Sequence, residues 1–263
     1  MRLAMIWAVF VKECRDLLSN RLLLGAVAFP ALIFAAIPTG IVAFIEFNKL
    51  DPKQVGEIQQ WIADYPNINP KTALQAFIVQ SFMAYFLLIP AMVPMAIATQ
   101  SVIGEKQGRS LEPQLATPLG VPELLAGKTL AAALPAILAT WFVFVAYGLV
   151  NMAVAAPVLG KFVFTPEWIV AMLTLVPLIC IFSVLLGIVV SSRVNDPRTA
   201  QQIGGFVVIP IIAIAVAQFF GGQPTFTRDQ VIMGDLLVAG LIGVALAIGS
   251  WAFERESILT RMA

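Results

Sequence analysis

Few side chains in this sequence could carry covalent, acid–base or metal chemistry. Histidine is absent, and Cys14 and Cys180 stand far apart, which removes the raw material of zinc clusters, disulfide scaffolds and histidine-based catalysis. Both cysteines read as small buried hydrophobes. Gly127-Lys128-Thr129 has the end of a phosphate-binding loop, but Pro122 stands where that loop needs its first glycine. If ATP drives this protein, another chain binds it. Met83, Met92 and Met95 put three thioethers on one apolar stretch. With no Cys or His beside them they read as gap-fillers rather than soft-metal ligands. Asp235 has no acid partner, serine–histidine couple or metal triad within reach in sequence. It reads as an acid near a membrane interface or as a polar contact used in gating.

The elements that hold these residues are set by composition. Of 263 residues 60% are hydrophobic and 12% charged, against roughly 45–50% and about 25% in ordinary soluble domains. A net charge of +1 offers no field for nucleic acid or another polyanion. A hydrocarbon layer about 30 Å thick needs about 20 mostly apolar helical residues. Six such runs occur: Leu22–Ile45, Thr72–Thr99, Thr129–Val150, Trp168–Val190, Ile203–Phe220 and Ile232–Phe253, with Asp235 the one charge inside them. The expected fold is an all-α integral membrane protein of six transmembrane helices preceded by an interfacial helix. Residues 1–21 form that elbow, 22–253 the membrane domain with a loop at 100–127, and 254–263 a tail.

The first apolar stretch, Leu3–Val11, is too short to span and is followed at once by Lys12, Glu13, Arg15 and Asp16. On a helical wheel Leu3, Trp7, Phe10, Cys14, Leu17 and Leu18 form one stripe, with Arg2, Lys12, Glu13, Asp16 and Asn20 opposite. That pattern predicts a helix lying in the membrane interface. No small-residue cleavage site follows it, so a signal peptide is not expected. With the amino terminus inside, eleven of the 16 basic residues fall on the cytoplasmic side, which places both termini there. The longest outer connection, Glu46–Lys71, is too short for a domain and carries a short amphipathic turn at Lys53–Ile62. On the inner side Asn195-Asp196-Pro197 marks a turn.

Prolines recur inside the runs at Pro30, Pro38, Pro90, Pro94, Pro135, Pro177 and Pro210. They bend membrane helices by freeing carbonyls, which suits a bundle that changes shape; such kinks are also simply common in membrane helices. The middles of all six runs lack Asp, Glu, Lys, Arg and His, so no proton coupling is evident, and there is no convincing internal repeat or glycine-interrupted break. Those absences weigh against an ATP-independent secondary carrier or channel, the alternative reading. A membrane scaffold for a soluble enzyme is a third.

The inner loop reads Gly104-Glu105-Lys106-Gln107-Gly108-Arg109-Ser110-Leu111-Glu112-Pro113-Gln114-Leu115-Ala116-Thr117-Pro118-Leu119, then Pro122-Glu123-Leu124-Leu125-Ala126-Gly127-Lys128. It predicts a short charged helix, two proline breaks and a second helix returning to the membrane. Alternating signs at Glu105, Lys106, Arg109 and Glu112, with Leu111 and Leu115 between, would present an amphipathic knob to a soluble partner; a solvated loop near headgroups is the alternative.

This series resembles the permease subunits of the ABC-2 class of ATP-binding-cassette transporters, and Lys12-Glu13, Asp16-Leu17-Leu18 and Asn20-Arg21 resemble the elbow helix of that class. The resemblance covers essentially the whole chain, with the elbow and the loop its specific parts. It departs at Gln114, where leucine is usual, and at Leu119-Gly120-Val121, where a polar or basic stretch is frequent; both bear on which ATPase is met. The resemblance implies a multi-pass permease of the bacterial cytoplasmic membrane, paired with a second permease, identical or paralogous, and two cytoplasmic ATPase subunits. ATP and Mg would bind on the ATPases, with no cofactor on this chain. By matched position it implies ATPase contact at Lys12, Glu13, Glu105, Lys106, Arg109, Leu111, Glu112, Pro113, Leu115 and Pro118. Members mostly export lipids, lipid-linked glycans, drugs, peptides or ions. Uncharged span centres favour an apolar or amphipathic cargo. Phe77, Phe82, Tyr85 and Phe86 on the second run, with Gln202 and Phe206 on the fifth, are candidates to line its path or to pack against lipid and neighbouring helices.

Overall fold

The computed structural model describes residues 3–48, 68–108, 121–194, 196–220 and 226–252, and every regular element there is helical. In chain order these are α1 (Leu3–Ser19), α2 (Arg21–Phe47), α3 (Pro70–Met83), α4 (Leu88–Gln107), α5 (Val121–Val154), the single turn α6 (Gly160–Val163), α7 (Pro166–Leu173), α8 (Leu175–Arg193), α9 (Pro197–Gly204), α10 (Val208–Phe220) and α11 (Arg228–Ala252). The turn expected at Lys53–Ile62, Asn195 and the tail 254–263 lie outside the described residues.

Local sequence explains where the helices start and break. Asn69, Thr165 and Asp196 each accept a backbone N–H of the first turn with their side chains, and each is followed by proline at the first helical position. There the missing N–H costs nothing and the fixed φ already suits a helix. Pro90, Pro177 and Pro210 each stand third in a helix that restarts after an interruption: the 3-10 turn Ala84–Leu87, the break at Thr174, and the 3-10 turn Gly205–Val207. A proline ring clashes with the carbonyl four residues earlier, here those of Phe86, Leu173 and Phe206, which favours a break there. Pro30, Pro38, Pro94 and Pro135 by contrast lie inside continuous helices.

Among the described residues five helical stretches are long and apolar enough to cross a membrane: Ala28–Phe47, Pro70–Gln107, Ala126–Val154, Pro166–Arg193 and Arg228–Ile248. The sixth expected crossing, Ile203–Phe220, is not among these five; there the 3-10 turn Gly205–Val207 separates α9 from α10.

The second stretch is the centre of the bundle, with 78% of its most apolar window buried, against 17% for the first and last. Around it Tyr147 and Trp168 are enclosed; the Tyr147 hydroxyl donates to the Val79 carbonyl at 3.2 Å, and the Phe86 ring lies 4.9 Å from that of Tyr147. Trp141 Nε1 donates to Met172 O at 2.7 Å, tying α5 to α7. At one end of the bundle Lys71 pairs with Glu46 at 3.2 Å and Gln75 Nε2 donates to the same carboxylate at 2.9 Å, joining α3 to α2.

Candidate coupling site

The charges that the sequence placed on the elbow and the inner loop meet at the other end of the bundle. α1 and α2 are separated at Asn20, whose amide donates to the Leu17 carbonyl at 3.1 Å. α1 then packs along α5. The seat is Gly127: a Cβ built there would come within 2.7 Å of Val9 Cβ and 3.1 Å of the Ile6 carbonyl, so the close approach of the two helices requires glycine.

The face that α1 turns inward is not the expected apolar stripe. Ile6 and Leu17 are buried, Val9 lies on Gly127, and the Glu13 side chain is 10% exposed, whereas Trp7 and Leu18 from the stripe are 65% and 68% exposed. Phe10 stacks on Trp7 on that outer side, at 5.2 Å between ring centroids. The helix therefore directs an acid into the protein beside Ile6 and Leu17 and keeps Trp7 and Leu18 outside it. A wheel drawn for a lone helix in lipid cannot foresee this, because it contains no neighbouring helix with a buried cation.

That cation is Lys128, 7% exposed, one residue beyond the glycine seat. Its ammonium lies 2.7 Å from Glu13 Oε1 and 2.8 Å from Glu105 Oε2, and it donates to Ser101 Oγ at 2.8 Å. Ser101 in turn donates to Glu13 Oε2 at 2.7 Å. Lys12 closes the ring, pairing with Glu105 Oε1 and lying 3.5 Å from Glu13 Oε1. Each lysine thus touches both glutamates, and four alternating charges join α1, α4 and α5. Lys12 is held above the ordinary lysine range: burial alone would lower it, but the hydrogen bond and charge of Glu105, with Glu13, outweigh burial. Cys14, the next residue on α1, is raised by burial and by the Glu13 charge.

Lys106 makes a second joint. Its ammonium donates to the carbonyls of Ser191 at 2.6 Å, Ser192 at 3.0 Å and Val194 at 3.5 Å, at the carboxyl end of α8. The last carbonyls of a helix lack intrahelical donors and carry the negative end of its dipole, so a cation fits there. Arg109, Leu111, Glu112, Pro113, Leu115 and Pro118 lie outside the described residues, in the connection from α4 to α5. Of the four residues singled out for a path, Phe86 is enclosed in the core and Phe82 is half-buried, while Gln202 and Phe206 face outward. The four do not share one surface.

A family model described as an ABC-2 family transporter protein matches residues 41–233, well over half of the chain. The chain belongs to the ABC-2 transporter family. This ABC-2 protein is a multi-pass membrane permease subunit of an ABC transporter, of a kind that is normally non-catalytic and generally works with ATPase subunits. Among curated proteins none matches the chain. The matched region of the permease includes Ser101, Glu105, Lys106 and Lys128 but not the elbow, so the charge ring joins α1 to the family's membrane domain.

Lys128 and Ser101 were not among the residues singled out from sequence. The available signal was a lone lysine entering an apolar helix, with the acids Glu13 and Glu105 on two other helices. As a chance match to the end of a phosphate loop, Lys128 had no evident partner; three-dimensional packing supplies two.

Proposed function

We propose that this permease is the membrane half of an ATP-driven exporter that moves an apolar or amphipathic cargo such as a lipid, lipid-linked glycan, drug or peptide. Two cytoplasmic ATPase subunits bind ATP and Mg and hydrolyse it; this chain hydrolyses nothing and pairs with a second permease, identical or paralogous. It sits in the bacterial inner membrane with both termini cytoplasmic. α1 lies in the interface as an elbow, and Pro197–Phe220 provides a sixth crossing.

The observation that carries this reading is the charge ring. The connection containing residues 109–120 leaves from α4 and returns into α5, and Glu105 and Lys128 bind the ends of both helices to Glu13 and Lys12 of the elbow. A force applied to that connection is therefore delivered to two spans and the elbow together. Lys106 extends the same framework to the end of α8. In this scheme Arg109, Leu111, Glu112, Pro113, Leu115 and Pro118, with the half-exposed Lys12, meet the ATPase. Glu13, Glu105 and Lys106, whose charges are engaged inside the protein, hold the framework that receives the motion. Aromatic and polar groups at Phe82, Phe86, Gln202 and Phe206 belong to the spans that reorient.

The test is a mild-detergent pull-down of the tagged chain from its native membrane. An ATP-hydrolysing subunit is expected at equal stoichiometry, and Glu112→Lys should lose it while still inserting in the membrane. A chain that comes down alone and carries solute in vesicles without ATP would overturn the reading.

A further inference from the structure

A cleft of about 580 Å³ runs between the first half of α2, the Ala91–Ala96 stretch of α4, and Gln201–Val208 around the 3-10 turn. Its walls are apolar: Phe29 and Met92, 67% and 44% exposed, look into it along with Met95. The space beside Gly25 and Gly205 is open, since a Cβ at either would meet nothing within 4 Å. Gly204 is different, because the Met95 thioether already occupies the position of its Cβ, at 1.8 Å.

Among the described residues that line it, the cleft has one charge. Arg21 stands at its edge, at the first residue of α2, with the Gln201 amide the other polar side chain large enough to reach a ligand. No carboxylate lines it, and no acid pairs with Arg21 among the described residues. From Arg21 to Pro30 the helix rises about 14 Å, close to half of a hydrocarbon layer about 30 Å thick. With the guanidinium at the level of headgroups, where the charged start of an apolar helix is favoured, the apolar wall would run about one leaflet deep. A volume of this size, mostly apolar with few polar groups, is that of a small-ligand site. A free anion would leave the apolar walls unused, and a neutral hydrocarbon would leave the arginine unpaired.

We propose that this cleft binds an anionic lipid of the adjoining leaflet, with its headgroup on Arg21 and Gln201 and an acyl chain along Gly25–Pro30 and Met92–Ala96. The site does not depend on the ATPase partnership, so a failed pull-down would leave it standing.

The test uses the purified full-length chain in phosphatidylcholine nanodiscs doped with a lipid carrying a photoreactive diazirine on its acyl chain. The headgroup is phosphatidylglycerol in one arm and phosphatidylcholine in the other. One arginine near an anionic surface favours the phosphatidylglycerol probe by about fivefold in labelling of residues 25–30 and 91–96. Arg21→Gln should bring that ratio close to one while phosphatidylcholine labelling persists, which shows an intact cleft; Arg21→Lys should retain most of the ratio. Gly25→Leu, which extends into open space, should reduce labelling by both probes. Equal labelling by both headgroups, or a preference unmoved by Arg21→Gln, overturns the proposal. So does displacement of the probe by glycerol 3-phosphate, which would mean a free-anion site. Absence of cleft labelling by either probe, as when a second copy of the chain covers the groove, overturns it as well.

Discussion

Replacing Lys128 by methionine keeps the length of the side chain and removes the charge that Glu13 and Glu105 share. Both carboxylates are almost buried, 10% and 8% exposed, and they would be left facing each other with Lys12 still paired to them. Lys12 is itself 45% exposed and lies 3.5 Å from Glu13, so it cannot take over the lost contact at 2.7 Å. Removing one partner of a buried ion pair costs about 3–5 kcal/mol, which is more than a hundredfold in the equilibrium that releases α1 from α5. Cys14 on α1 reports that release. Burial and the Glu13 charge hold its thiol up and slow its alkylation while the helix is docked, and Cys180 in the core is an unreactive reference. Maleimide labelling of Cys14 should therefore accelerate strongly in Lys128→Met. An uncompensated Glu13 in a docked helix would slow it instead, so the sign separates undocking from a local field effect. Glu13→Gln combined with Lys128→Met removes charge of both signs and should bring the rate most of the way back. A single variant within twofold of the parent rate, or a double variant as reactive as the single, would refute the idea that the ring holds the elbow.

The joint at α8 predicts that Lys106→Met frays the last helical turn: a cation at a partly buried helix terminus contributes about 1–2 kcal/mol, so hydrogen exchange at the Val194 amide, bonded to Val190 O at 3.1 Å, should speed up roughly tenfold. The buried Asn151 donates to Thr39 Oγ1 at 3.1 Å, linking α5 to α2; a double-mutant cycle with Asn151→Ala and Thr39→Val should give a coupling of about 0.6 kcal/mol and below about 1.7 kcal/mol, read from thermal unfolding in detergent. The raised Lys12 contributes stability that is fully present below its ordinary value near 10.5 and is lost as pH rises through its higher folded value. The thermal stability difference between the parent and Lys12→Gln should accordingly stay constant from about pH 7 to 10 and shrink above that.

Much of the architecture was legible residue by residue. Apolar runs of span length announced a helical membrane protein; the helix starts at Asn69-Pro70, Thr165-Pro166 and Asp196-Pro197 follow local capping rules, although of these only Asp196-Pro197 stood out in sequence, as a turn. The loop series from Gly104 to Lys128 pointed to the ABC-2 class that the family match bears out. Less was legible at the sites. Glu13 and Glu105 looked like surface charges because each has polar neighbours in sequence, and only the approach of α5 makes them interior. The elbow stripe pointed to lipid contact, and Trp7 and Leu18 do face outward, but nothing in α1 alone specified that Ile6, Val9 and Glu13 would meet a partner helix.

Sequence by itself determined what is covalent and local: which segments are apolar enough for a membrane, and where proline strains an α-helix. A proline ring crowds the carbonyl four residues before it whatever surrounds the chain, so Pro90, Pro177 and Pro210 favour the interruptions near Phe86, Leu173 and Phe206, although Pro30, Pro38, Pro94 and Pro135 show that proline alone does not impose a break. Tertiary structure decided which charges are partners and which faces are buried. Lys128 meets Glu13 across 115 residues of chain and Lys12 meets Glu105 across 93, and a Coulomb interaction depends on distance in space and on the water left between the groups. Both quantities exist only once Gly127 has let α1 settle against α5.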